Sequence, residues 1–134
     1  MRFDKKYFQK FEYDKESIIQ YLNNAKRDHK IAQTDKYTEV RFTYSYQALI
    51  KAGIALIAFM GQVKVRSIPG HHIKVLEKMA EILDDNSVAL LGNVMRKKRN
   101  LDLYSGGEYV SKKEADKYCS FVGNIIDEVS KIII

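Results

Sequence analysis

The chain contains a single cysteine, Cys119, and a single proline, Pro69. One cysteine excludes an intramolecular disulfide framework and fits a reducing compartment. With one proline and seven scattered glycines, no Pro/Gly/Ser-rich linker divides the 134 residues, and no internal repeat is visible. The opening residues MRFDKKYFQK lack the apolar region of a secretory signal. The longest apolar stretch is short and interrupted by Lys51, whereas a membrane span needs about 20 residues. Catalytic signatures are also missing: there is no G-x-G-x-x-G, no P-loop and no G-x-S-x-G. His71 and His72 are neighbours rather than i, i+4, and no Cys or Asp/Glu ligand spacing accompanies them, so neither a metal site nor a cofactor is expected. These absences predict one soluble, cytoplasmic domain spanning residues 1–134, with no membrane role.

What is present is positive charge and helical periodicity. Lys and Arg number 23 against 17 Asp and Glu, a net charge of +6. That excess suits an anionic partner such as nucleic acid or nucleotide. Ile18, Leu22, Ala25, His29 and Ala32 recur every three or four residues, the mark of one helix face, with Ser17 as N-cap. On this stripe His29 reads as a hydrogen-bonded core histidine. A second helix is predicted over about 36–60, apolar almost all round from Ala48 onward and therefore central. Its small residues Ala52, Gly53, Ala55 and Ala58 allow close neighbours. Pro69-Gly70 marks a turn before a third helix that opens with His71 and His72. Asp84-Asp85-Asn86-Ser87 caps a fourth, and Ser111-Lys-Lys-Glu114 is a capping box for a fifth. In that fifth helix Cys119 sits on the apolar stripe as buried filler.

Phe3, Tyr7 and Phe11 have helical spacing, so the N-terminal segment is read as a short helix or turn covering a core edge. A base-stacking surface is the alternative. Val63 and Val65 resemble a strand, but nothing else looks able to pair with them. The predicted fold is all-α: helical segments with short connections, forming a bundle of four main helices plus the short N-terminal helix or turn.

The fourth helix carries the densest chemistry. At about 100° per residue, Val88, Leu90, Leu91, Val94, Met95 and Leu101 fall on one arc. Asn93, Asn100 and Tyr104 lie beside it, flanked by Arg96 and Lys97, with Arg99 on the other margin. The plainer account is a set of cations stabilising a helix C-terminus. The histidine pair lies at a helix N-terminus, where backbone N–H groups favour an anion.

Four stretches together resemble the HEPN family (higher eukaryotes and prokaryotes nucleotide-binding). Ala25-Lys-Arg-Asp28 is similar to its A-x-R-D, and Tyr44-Ser-Tyr46-Gln-Ala48-Leu49-Ile-Lys-Ala52 to its Y-x-Y-x-A-L-x-x-A. Gly70-His71-His72-Ile-Lys74 is similar to its G-x-H-K, and Arg96-Lys-Lys-Arg99-Asn100-x-x-x-Tyr104 to its R-x-x-R-N-x-x-x-Y. The resemblance implies a HEPN-like bundle and a symmetric dimer whose cleft lies between two fourth helices. It also implies binding of RNA or nucleotide, and a toxin–antitoxin setting with a small nucleotidyltransferase antitoxin as partner. Nucleases of the family use R-x4-6-H without metal. Here Arg99 matches the arginine and Asn100 the polar residue after it, but Tyr104 stands where histidine is expected. An unperturbed phenol, with a pKa near 10, is protonated at neutral pH and makes a poor base for a ribose 2′-hydroxyl.

The leading expectation is therefore a binding module with weak or no nuclease activity. Arg99 and Tyr104 are its catalytic-position residues, and Arg96, Asn100, Asn93 and Asp28 its ligand-binding ones. Asp28 is the expected partner that aims Arg99. One alternative is an active metal-independent endoribonuclease in which His71 or His72 replaces the missing histidine. The other is a purely structural dimerisation subunit.

Overall fold

The computed structural model describes residues 1–105 and 110–134, the side chains of 101–105 excepted. Among these residues the chain forms five helices and one two-stranded ribbon. In order they are β1 (Phe8–Lys10), α1 (Lys15–Thr34), α2 (Thr38–Gly61), β2 (Val63–Val65), α3 (His71–Leu83), α4 (Asn86–Ser105) and α5 (Lys112–Ile133). The helical bundle expected from periodicity is present, with five main helices among the described residues rather than four.

Helix α2 is the centre, packed against α1, α5, α3 and, more lightly, α4. Phe42, Tyr46, Leu49, Ala52, Leu56 and Ile57 on α2 are almost wholly inaccessible. By length and composition α2 would pass for a membrane span, but two thirds of its most apolar stretch is buried by the other helices. Two glycines let α3 come close. A Cβ on Gly53 would stand 2.4 Å from Met79 Sδ, and one on Gly92 of α4 would stand 2.6 Å from Leu76 Cδ2. Both clashes lie against buried side chains, so both positions must stay bare. The result wedges α3 between α2 and α4 and fixes where its N-terminus points.

Three expectations need correction. Of the short helix or turn expected at the N-terminus only the turn forms: Tyr7 and Phe8 donate to the Asp4 carbonyl at 3.0 and 2.9 Å, and the chain then runs into β1, a strand that was not expected. β1 pairs antiparallel with β2, Phe8 opposite Val65 and Lys10 opposite Val63. Two such strands are marginal alone; Phe8 and Val63 bury themselves against the bundle. The aromatic segment does cover a core edge, with Phe3, Tyr7 and Tyr13 packed on it. Second, α1 starts earlier than Ser17. Asp14 is the N-cap, and its carboxylate accepts the Ser17 N–H at 2.7 Å. Third, the α4 arc is split. Val88 and Met95 are buried, whereas Leu90 is 71% exposed and Val94 42%.

The caps of α4 and α5 are as expected. Ser87 N–H and Oγ both donate to Asp85 Oδ1, and Ser111 and Glu114 exchange both bonds of the capping box.

Candidate functional site

The loop after β2 turns at Gly70, whose φ of 84° suits glycine, and delivers His71 and His72 to the first turn of α3. On α4, Arg96 and Arg99 are one turn apart and share a side. These elements form a cavity of about 310 Å³ whose lining includes Ile68, His71, His72, Arg96, Arg99 and Asn100. Five residues singled out from two separate sequence stretches thus meet in one place. Among the described residues no carboxylate lines it.

Arg99 borders the buried face of α4, one turn from Met95, on the margin of the arc where its angular position sets it. Its guanidinium lies over the ring of Tyr46, 5.5 Å from the centroid, a cation–π contact across the α2–α4 junction. The Tyr46 hydroxyl in turn lies 2.8 Å from His72 Nδ1. Burial pushes the Tyr46 phenol up to about 12, against the pull of Arg99 and Arg96. Burial, then His71, Arg99 and Arg96, lowers His72 to about 4. His72 is therefore neutral at pH 7. His71 Nδ1 lies 2.7 Å from the Ile68 carbonyl. Arg96 is aimed by Asn93, whose Oδ1 accepts its Nε–H at 3.1 Å. Asn93 thus acts through Arg96 and does not line the cavity.

Asp28 is not the partner of Arg99. It is fully buried on α1, where Lys51 Nζ of α2 approaches Oδ2 to 2.6 Å and Arg27 Nη2 approaches Oδ1 to 3.2 Å. The Lys51 contact is an ion pair by distance that is not aligned as a hydrogen bond. The pairing follows from proximity: a buried carboxylate takes the nearest cation, and α1 lies against α2 rather than α4. The Tyr104 side chain, and that of Leu101, lie outside the described residues.

Sequence reasoning passed over Tyr46 as a site residue. The signal available was a tyrosine in an otherwise apolar helix, whose hydroxyl must find a partner once buried. The Ile68 carbonyl carries no sequence signal at all.

A larger cavity of about 720 Å³ opens between α1 and α5 and includes Lys26, His29, Arg41, Asp116, Cys119 and Asp127. Its charges are largely matched: Arg41 pairs with Asp116, and Lys26 donates to Ser130. His29 Nε2 donates to the Cys119 carbonyl at 2.9 Å; Cys119 is buried as expected, whereas His29 is hydrogen-bonded but only half-buried, at the cavity rather than in the core. Among the described residues no three His, Cys, Asp or Glu side chains converge as a metal site would require. Among the described residues the smaller cavity has an unbalanced positive lining, which makes it the better candidate for a ligand.

No protein-family model, curated protein or solved structure matches the chain.

Proposed function

We propose that the chain is a HEPN-type module that binds RNA or a nucleotide in the α3–α4 cavity, with weak or no nuclease activity. The observation that carries this reading is the convergence of Arg96, Arg99 and two imidazoles on one cavity. Two guanidiniums offer paired N–H groups to a phosphate, and the positive end of α3 adds to the field. On the resemblance, its partners would be a second copy of the chain and a small nucleotidyltransferase.

The test is titration of labelled single-stranded RNA at fixed salt. Arg99→Ala is expected to weaken binding about tenfold, as loss of a charge-assisted contact does. Lys97→Ala is expected to cost about twofold, as a distant cation does. Lys97 is the better comparison than Lys98, because Lys98 pairs with Glu114 of α5 at 2.9 Å. Equal losses would reduce the effect to general electrostatics and defeat the reading.

The presence of His71 and His72 in the same cavity as Arg99 favours a second reading, metal-independent cleavage. A histidine would take the 2′-hydroxyl proton as O2′ bonds to phosphorus and the 5′ oxygen leaves. RNA intact after incubation in EDTA, across several sequences, would rule this reading out.

A further inference from the structure

His71 and His72 are adjacent in the chain, yet their rings are held as opposite tautomers. A carbonyl oxygen only accepts, so the 2.7 Å contact with Ile68 puts the hydrogen of His71 on Nδ1 and the lone pair on Nε2. His72 Nδ1 faces the Tyr46 hydroxyl instead, at 2.8 Å. A phenol is a far stronger acid than a neutral imidazole N–H, and an imidazole nitrogen a far stronger base than a phenol oxygen. The hydroxyl therefore donates, Nδ1 of His72 accepts, and Nε2 of His72 keeps the hydrogen. Tyr46 stays protonated and His72 stays neutral in these surroundings. The rings stand edge to face with centroids 4.3 Å apart, and both line the cavity with Arg96 and Arg99.

The residues that line the cavity thus carry an N–H donor on His72, two cationic donors and, one residue away, a lone pair on His71. An ionised phosphate offers acceptors alone and satisfies only the donors. The lone pair calls for a hydroxyl next to the phosphate. A ribose 3′-phosphate has that arrangement, because its 2′-hydroxyl sits on the neighbouring carbon.

We propose that His71 Nε2 accepts the 2′-hydroxyl of a ribose phosphate whose anionic oxygens are held by His72 Nε2–H and Arg99, so that the cavity selects ribose over deoxyribose. This rests on the reading that the cavity binds RNA or nucleotide, and narrows it. His71 is a specificity residue, and Tyr46 is the positioning residue that sets the tautomer of His72.

The experiment compares three labelled single strands of one base sequence at pH 8 and fixed salt: RNA, 2′-fluoro RNA and DNA, each checked intact on a gel. The 2′-fluoro strand keeps the sugar pucker of RNA but has no 2′ hydrogen to give. RNA is expected to bind about tenfold tighter than either of the others, because a site built to bond a hydroxyl rejects the analogue lacking it. His71→Ala is expected to bring RNA down to the level of DNA, whereas His72→Ala weakens all three strands alike. Equal binding of RNA and 2′-fluoro RNA overturns the proposal with the wild-type protein alone, whether or not a variant folds. It also leaves the broader binding reading standing. A gap that survives in a folded His71→Ala variant overturns it too. No binding of any strand, or of a ribonucleoside 3′-monophosphate, overturns the broader reading and this one with it. A ribo over deoxyribo preference in the 3′-monophosphate pair supports the proposal with a free nucleotide as ligand. The same preference confined to the oligomers supports it with RNA as ligand.

Discussion

The hydroxyl of Tyr46, on the central helix α2, lies 2.8 Å from Nδ1 of His72 in the first turn of α3. Tyr46 also carries Arg99 over its ring. One buried side chain therefore ties α3 and α4 to the core helix at the point where the cationic and imidazole groups meet. The contact is a stability element as well as a site element, because a buried phenol that lost its acceptor would be costly.

That link predicts a pH dependence. In the fold His72 titrates near 4 rather than at its ordinary 6.5, chiefly because it is buried. The folded state thus binds fewer protons than the unfolded one between these values. The contribution is complete above about pH 6.5 and is lost as pH falls toward about 4, reduced by solvent screening because the imidazole is only partly buried. His72→Gln keeps an acceptor for Tyr46 but does not titrate. Denaturant unfolding at pH 7 and pH 5 is expected to show a smaller acid loss for the variant than for the wild type. Identical losses would mean that His72 does not couple folding to pH.

A second prediction concerns Asp28, placed by the structure in an α1–α2 ion pair with Lys51. Lys51→Ala leaves a fully buried carboxylate without its main cation. Breaking a buried pair in this way costs about 3 kcal/mol. Asp28→Asn is expected to cost less, about 1–2 kcal/mol, because the Lys51 side chain is 35% exposed and can turn to water. Neither change should alter binding of RNA or nucleotide. Loss of binding in a folded Asp28→Asn variant would restore Asp28 to the ligand site.

The helices were legible because their signals repeat. The stripe of α5 from Ala115 to Val129 and its Ser111–Glu114 capping box are found as read. The ribbon was not legible: a three-residue strand has almost no period, and its partner lies more than 50 residues away. Phe3, Tyr7 and Phe11 fall at a helical interval without forming a helix, because Asp4 starts a turn and Phe8 pairs with Val65. For the site, the residue types on α3 and α4 were readable, but their meeting was not. It depends on how closely α3 packs, which Gly53 and Gly92 set through contacts with Met79 and Leu76. Angular spacing also ranks residues around α4 without saying which side its neighbours occupy. This explains why Leu90 and Val94 were counted with the apolar arc although they face solvent.

The last prediction follows from that reversal. Leu90 and Val94 are one turn apart and exposed, and at about 100° per residue they lie roughly opposite Arg99 around α4. A symmetric dimer is the commonest oligomer, and the HEPN resemblance places its contact on the fourth helix. If two copies meet through Leu90 and Val94, each cavity stays open on the far side of its own α4. The dimer and the cavity are then separable. Leu90→Glu, which sets like charges against each other across a two-fold contact, is expected to give monomers in sedimentation at micromolar concentration. RNA affinity per chain should stay within about twofold, because no cavity contact is touched. A shared cleft makes the opposite forecast: Leu90→Glu would lose the dimer and the binding together. A wild-type protein that sediments only as monomer would remove the dimer altogether and leave Leu90 and Val94 as isolated surface residues, which many folded proteins carry.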